Sequence, residues 1–274
     1  MTSPTPSSPP SSPAEISNVL ATSVADPTTV TQQLESYVRA QVNALYGPTS
    51  TTTSSSSTTA AEPSCSHPYD FAANRALTKL YQFFPHLADE SCTALVLLLA
   101  LLEYPSTDFM ALTYLVPERV QEREPCATLK RCSDLLEQSQ FGAFWVTFRE
   151  LVINDSASEE LKMAAASPAA VAKIRANALG LLGLTYKVAP IDAVLSALDL
   201  KDAAALRDYV NGDATAKKIV ENVDVGGGGS GKVVFTSREE NTKKGRVFKE
   251  AVGLDAISAA LAKGAKGVMT HTSS

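Results

Sequence analysis

The stretch from Tyr69 to Pro85 constrains the fold of this chain most strongly. Its large apolar residues recur mostly at helical spacings, and small alanines fill positions between them. Proline disfavours helical backbone in the residue before it, so Pro68 and Pro85 bound a predicted amphipathic helix. A helix with so large an apolar face is not stable alone, and the chain must cover it with other helices. The apolar residues are Phe71, Leu77, Leu80, Tyr81 and Phe84.

Helical patterns continue on both sides of this stretch. An earlier stripe predicts a helix from Val30 to Tyr46, which Gly47 and Pro48 terminate. The apolar run Ala94–Leu102 is about half the roughly 20 residues that a membrane-spanning helix needs, so it predicts a buried core helix. Antiparallel helices in such succession favour a solenoid-like stack. Proline-marked breaks separate the helices at Pro85, Pro105, Pro117 and Pro125.

After these helices, from residue 154 onward, the sequence predicts a polar connection, one longer helix and two shorter helices. Residues 154–167 read as a polar, alanine-rich connection, and Ser167-Pro168 predicts an N-cap with proline at the first helical position. The helix that it opens contains Gly180 and Gly183, which permit close helix contact, and it ends before Pro190. Two shorter helices are predicted at Ile191–Leu198 and Asp202–Val210, with Asn211-Gly212 as a stop.

Two β-prone runs then surround a glycine loop. Ile219–Val225 and Lys232–Thr236 flank the sequence GGGGSG, a pattern that predicts a β-hairpin. Three helices followed by a hairpin is the order of a winged helix. A last helix, about Leu254–Lys263, places Leu254, Ile257 and Leu261 on one side with nothing obvious in the chain to cover them, which makes it a candidate for packing on a partner helix.

Composition limits the function classes. Of the 274 residues, 45% are hydrophobic and 19% charged, and the formal net charge is −5, so the chain as a whole is not a nucleic-acid binder by bulk electrostatics. The C-terminal end differs from the rest of the chain in its charge, because ten basic and six acidic residues lie between Thr215 and Ser274. Its basic cluster of Lys243, Lys244 and Arg246 is a possible RNA contact, secondary to protein contact.

Catalytic and metal-binding signals are weak. Four cysteines form no close pair and only three histidines are present, so no metal site is predicted, and reduced thiols fit a cytosolic protein. Gly226–Lys232 resembles a phosphate-binding loop, but Val233 lacks the required hydroxyl and a strand, not a helix, is predicted to follow. The N-terminus has no signal-peptide pattern. We expect no enzyme activity, no cofactor and no membrane contact.

An aromatic stripe at helical spacing has two interpretations. It could stack RNA bases, or it could form the core of a helix packing. Helical spacing and sparse neighbouring charge favour the core. The stripe comprises Phe141, Phe144, Trp145 and Phe148.

Several runs together resemble the family of subunit K of eukaryotic translation initiation factor 3. They occur in the order and at the approximate separations of that family and span most of the chain from Tyr69 to about Lys263, while the Ser/Thr run Thr49–Thr59 departs from it. The runs are Tyr69–Pro85, Asp108-Phe109, Asp134–Glu137 and Phe141–Trp145, with weaker matches at Gly183–Tyr186 and Ser237–Asn241.

The resemblance implies a PCI-type architecture, mainly α, in which a HEAT-like helical-repeat domain precedes a winged helix with a small β-hairpin. The expected segments are a disordered N-terminus (1–14), an N-terminal helical segment (15–46), a flexible Ser/Thr-rich linker (47–67), the helical-repeat domain (68–167), the winged helix (168–250), and a C-terminal helix and tail (251–274).

The function implied by the resemblance is that of a non-catalytic, cytoplasmic scaffold subunit. It joins neighbouring subunits of translation initiation factor 3, with subunit L as the direct neighbour, and supports docking on the small (40S) ribosomal subunit. The expected partner-binding residues are the hairpin edge and the last helix: Lys232, Val233, Val234, Phe235, Leu254, Ile257 and Leu261. A PCI-type subunit of the proteasome lid or signalosome, or an RNA-binding winged-helix protein, remains the alternative.

Overall fold

Most of the described backbone is helical, as the apolar periodicities predict. A computed structural model describes residues 27–46, 69–153, 155–224 and 231–236, together with positions 257, 258 and 261. The chain divides into two units, one ending at Thr236 and the other beginning at Ser237. All strands and nearly all helical residues described lie in the first unit.

The first unit contains short and medium-length helices and three strands. The helices of its first part are α1 (Pro27–Tyr46), α2 (Phe71–Phe83), a 3-10 turn (Pro85–Leu87), α3 (Glu90–Leu102), α4 (Asp108–Thr113), α5 (Glu118–Gln121), α6 (Cys126–Glu137), α7 (Phe141–Ile153) and α8 (Glu159–Ala166). The later elements are α9 (Pro168–Thr185), β1 (Val188–Pro190), α10 (Ile191–Leu198), α11 (Ala203–Gly212), α12 (Ala214–Ile219), β2 (Val220–Asp224) and β3 (Lys232–Phe235).

The helix predicted in the stretch Tyr69–Pro85 is confirmed as α2. Its N-terminus is capped by Asp70, whose carboxylate accepts the backbone N–H groups of Ala72 and Ala73. It ends at Phe83, and Pro85 opens the 3-10 turn. The predicted helix from Val30 is confirmed as α1, which packs against α2.

Helix α3 forms the centre of the helical part. Every residue from Cys92 to Leu102 is buried, because a helix that is apolar on all sides needs neighbours on all sides. Its neighbours are α1, α2, α4, α6, α8 and α9. Within the described residues, no helix is both long and apolar enough to cross a membrane.

The connection predicted over residues 154–167 is wrong, because most of it is helix α8. The segment consists mainly of strong helix formers. The hydroxyl of Ser158 caps it by accepting the N–H of Leu161. Leu161, Ala164 and Ala165 bury one face at helical spacing. Ala164 and Ala165, which the sequence pattern assigned to a connection, are therefore packing residues of a helix.

Helix α9 connects the early helices to the sheet. Ser167 caps it and Pro168 opens it, as predicted. Lys173 forms an ion pair with Glu103, just after α3. On the same side, the Asn177 amide donates a 3.1 Å hydrogen bond to the Leu102 carbonyl. Because α9 also packs against α10 and α12, one core runs from α1 to β3.

The sheet has three antiparallel strands in the order β1-β3-β2. The predicted hairpin is confirmed as β2 and β3, with Val223 opposite Val233. The third strand, β1, is an addition that the sequence reading missed, and it pairs Ala189 with Val233 on the other side of β3. The chain order α9-β1-α10-α11-α12-β2-β3 also includes the unpredicted helix α12.

The finer architectural expectations remain predictions. In a strict solenoid each unit contacts only its neighbours in sequence. Here α1 packs against α8 and α9 as well as α2, and Arg39 bridges Asp89 at the start of α3 and Glu160 in α8. The HEAT-like repeat and the proposed domain boundaries therefore stay as expectations.

Candidate protein interface

The predicted contact edge at Lys232–Phe235 needs correction, because β3 is the central strand. Both of its sides already carry backbone hydrogen bonds, to β1 and to β2. On the β1 side, the N–H of Ile191 donates a 3.0 Å hydrogen bond to the Gly231 carbonyl. The N–H of Phe235 donates a 2.9 Å hydrogen bond to the Lys187 carbonyl. A strand with two bonded neighbours cannot pair with a third. The free edges of this sheet, within the described residues, belong to β1 and β2.

The β3 side chains are divided between core and surface. Val233 and Phe235 are 0% and 2% exposed, and both belong to the hydrophobic core. Val234 is half-buried and Lys232 is exposed. The alternation is that of a strand with one face on the core. Of the four predicted contact residues in this strand, Lys232 and Val234 are therefore the two that solvent reaches.

Two large apolar side chains that sequence reasoning did not select lie at the β1 edge, Val188 in the strand and Tyr186 just before it. Tyr186 is 49% exposed and Val188 is 50% exposed. Lys187 and Ile191 bond toward β3, so the alternation of a strand turns the backbone groups of Val188 away from the sheet. Pro190 has no N–H to offer, which suits an edge strand. The sequence feature that could have predicted β1 is the short β-prone run before Pro190, which directly follows a helix.

The β2 edge is less accessible. The Arg207 guanidinium on α11 donates 3.4 Å to the Val223 carbonyl. An open cavity of about 260 Å³ lies beside this edge, between α11 and β2. Because a side chain already occupies one of its acceptors, β2 is a poorer site for strand addition than β1.

The C-terminal candidates are described only in part. Ile257 and Leu261 have helical backbone and are 45% and 69% exposed. Leu254 lies outside the described residues, as does the basic cluster Lys243, Lys244 and Arg246.

The aromatic stripe of α7 belongs to the hydrophobic core, which is the interpretation that its helical spacing favoured. Phe141, Phe144, Trp145 and Phe148 are all less than 10% exposed. The Phe144 and Phe148 rings stack at 5.3 Å, and Trp145 meets Phe144 edge-on. No face of this stripe is open to nucleic-acid bases.

The ionisable groups show no catalytic arrangement among the described residues. Cys92, Cys126 and Cys132 are buried and unpaired with one another, and burial raises the pKa of each thiol to about 12. Such thiols are protonated and weakly nucleophilic at neutral pH. In the described ranges, no group of three His, Cys, Asp or Glu residues could hold a metal ion. After Lys232 the backbone is strand β3, so the helix that a phosphate-binding loop requires is not there.

Comparison with known proteins finds sequences that are similar to this chain. A profile of the CSN8/PSMD8/EIF3K family matches residues 87–214, from the 3-10 turn to α12. Eukaryotic translation initiation factor 3 subunit K of Dictyostelium discoideum is 30% identical over 154 residues, which are 56% of this chain and 58% of that relative.

Two other relatives cover more of the chain, and both have the same name. The Aspergillus niger protein is 28% identical over 242 residues, which are 80% of this chain and 83% of the relative. The human protein is 28% identical over 194 residues, which are 71% and 80% of the two chains. The chain is therefore similar to the CSN8/PSMD8/EIF3K family over residues 87–214 and to proteins named subunit K of eukaryotic translation initiation factor 3 over most of its length.

Proposed function

We propose that this chain is a non-catalytic scaffold subunit of translation initiation factor 3 that acts in the cytoplasm. The relatives that span most of its length carry the name of subunit K of that factor. The structural observation that supports a contact role is the β1 edge, where Val188 in the strand and Tyr186, two residues before it, are exposed. Exposed apolar groups beside a free strand edge favour protein contact.

The proposed mechanism is geometric. Helices α1 to α9, in a HEAT-like arrangement, hold neighbouring subunits at a fixed distance. The order α9-β1-α10-α11-α12-β2-β3, with β3 in the centre of the sheet, supports a winged helix of the PCI type. The continuous core between the two parts favours a rigid connection.

The neighbour contact is proposed at β1, moved there from β3. A partner strand, with subunit L as the first candidate, adds to the backbone of Val188, and Tyr186 supplies apolar contact area. Lys232 and Val234 remain secondary contacts from the central strand. The C-terminal helix around Ile257 and Leu261 joins a shared helical bundle, and Lys243, Lys244 and Arg246 contribute a secondary RNA contact.

Sedimentation of cell extract tests the proposal at the level of function. A tagged full chain is expected to co-sediment with small ribosomal subunits at low salt and to move to a lighter multi-subunit complex when salt is raised. Migration as a free protein of its own mass under both conditions would contradict a subunit role.

Paired variants test the two proposed contacts. Tyr186→Asp with Val188→Asp is expected to release the chain from its neighbour, because charge is placed where apolar surface is covered. Val146→Asp with Ile153→Asp is the charge-matched control, since these side chains are 58% and 77% exposed on α7. Ile257→Asp with Leu261→Asp tests the helix contact in the same way. Full co-purification of either double variant would refute the contact that it targets.

A further inference from the structure

A surface trough separates α4 from α6. Both helices pack against α3, and the gap between them is floored by Ala100 and Leu101 at one end. It consists of two adjoining cavities of about 220 and 560 Å³. Both are lined by Phe109 and Met110 from α4 and by Ser133 and Glu137 from α6, so they form one continuous depression, the α4–α6 trough.

Hydrogen bonds between side chain and backbone hold the trough open at both ends. At the first, the Tyr104 hydroxyl donates 2.9 Å to the Leu136 carbonyl. At the second, the Gln121 amide donates 2.9 Å to Thr113 and 2.8 Å to Val116, and its oxygen accepts from Lys130 at 3.1 Å. The walls are therefore set before anything binds, which lowers the entropic cost of binding.

Large apolar side chains are exposed on the α4 wall. Met110 is 45% exposed and Tyr114 is 79% exposed, whereas their neighbours Phe109 and Leu112 are buried. Methionine adapts to irregular partners, and tyrosine supplies large contact area at low cost in side-chain entropy. These two residues are the natural anchors of a protein contact.

The rim of the trough is acidic. Lys130, Asp134 and Glu137 follow one another at helical spacing along α6, and Glu118 faces them from α5. The trough is thus lined by three carboxylates and one ammonium group, and the ammonium group already donates to Gln121. A partner that enters with cationic side chains meets complementary charge, whereas an acidic partner is repelled.

We propose that the α4–α6 trough binds a segment of a partner protein that carries large apolar side chains flanked by lysine or arginine. The apolar side chains contact Met110 and Tyr114, and the cations pair with Asp134, Glu137 and Glu118. This site lies on different helices from the β1 edge, so its existence does not depend on the proposed function.

Peptide binding to the full-length chain tests the site. The probe is a fluorescein-labelled amphipathic peptide of leucine and lysine, compared by anisotropy with a peptide in which every lysine is glutamate. The leucine–lysine peptide is expected to bind, and Met110→Ala with Tyr114→Ala is expected to weaken it roughly tenfold or more. Asp134→Lys with Glu137→Lys is expected to weaken it similarly and to reverse the preference between the peptides.

A charge-matched control separates the trough from general attraction to an acidic protein. Asp208→Lys with Glu221→Lys changes the net charge equally at exposed positions on α11 and β2. This control is expected to bind like the unmodified chain. The proposal is overturned by absence of binding, by equal binding of both peptides, or by equal effects of the two charge reversals. Circular dichroism verifies that each variant is folded.

Discussion

The indole N–H of Trp145 donates a 2.9 Å hydrogen bond to the backbone carbonyl of Ala197. The bond joins α7 to the last turn of α10, where helix carbonyls lack partners within their own helix. The Arg175 guanidinium lies 5.8 Å over the Trp145 ring and donates 2.8 Å to the Leu198 carbonyl. This cluster therefore fixes the sheet-bearing end of the first unit to its helical part.

Replacing Trp145 tests this connection. Trp145→Phe leaves the buried Ala197 carbonyl unpaired and is expected to lower the free energy of unfolding by about 1–3 kcal/mol. Trp145→Ala also leaves a cavity and is expected to cost about 3–5 kcal/mol. Urea unfolding measures both. Val146→Ala, next in sequence and exposed, is expected to stay within about 0.5 kcal/mol of the unmodified chain. A Phe variant as stable as this control would refute a structural role for the bond.

Two glycines of α9 are predicted to respond oppositely to alanine. A Cβ at Gly183 would lie 2.5 Å from the Ile219 side chain of α12, so Gly183→Ala forces the two helices apart and is expected to cost about 1–3 kcal/mol. At Gly180 nothing lies within 4 Å, and Gly180→Ala is expected to stabilise by roughly 0.5–1 kcal/mol through better helix propensity. Thermal unfolding distinguishes them. Equal shifts in Tm would show that α9 and α12 are not in close contact.

The buried thiols are predicted to resist labelling in the folded chain. Burial raises the pKa of Cys92, Cys126 and Cys132 to about 12, so each is protonated at pH 8 and shielded from reagent. In a Cys65→Ser variant, Ellman's reagent is expected to find no rapidly reacting thiol before urea is added and three afterwards. Rapid reaction of any thiol in the folded variant would contradict the packing around it.

The same pKa shifts predict a loss of stability in alkali. Both states hold the thiol proton below the ordinary pKa of 9, so stability is unaffected there. Between pH 9 and about 12 the unfolded thiol ionises and the folded one does not, so the unfolded state is favoured as pH rises. Cys132→Ala is expected to reduce this slope by up to about 1.4 kcal/mol per pH unit. An unchanged slope would show that Cys132 ionises equally in both states.

Periodicity predicted the elements that bury large apolar side chains. Helices α1, α2 and α3 and the aromatic core of α7 follow from apolar spacing, and the hairpin follows from two β-prone runs around glycines. Ser167 and Pro168 placed the start of α9 because capping chemistry is local. Each of these features is contained within a short sequence window.

The missed features depend on distant residues. Strand β1 has three residues and exists because β3, more than forty positions later, supplies its hydrogen bonds. That pairing turned the predicted edge at Lys232–Phe235 into the central strand. Helix α8 was missed because its buried face is largely alanine, which carries little periodic signal. The β1 edge and the α4–α6 trough likewise become visible only when separate elements are brought together.

The most direct test of the proposed function is the composition of the complex that contains this chain. The tagged chain is purified from cytosolic extract at moderate salt with nuclease treatment, and its partners are identified and quantified by mass spectrometry. A subunit of translation initiation factor 3 recovers the other subunits of that factor in constant ratio. Recovery of proteasome-lid or signalosome subunits instead, or of the chain alone, would contradict the proposed function while leaving the fold unchanged.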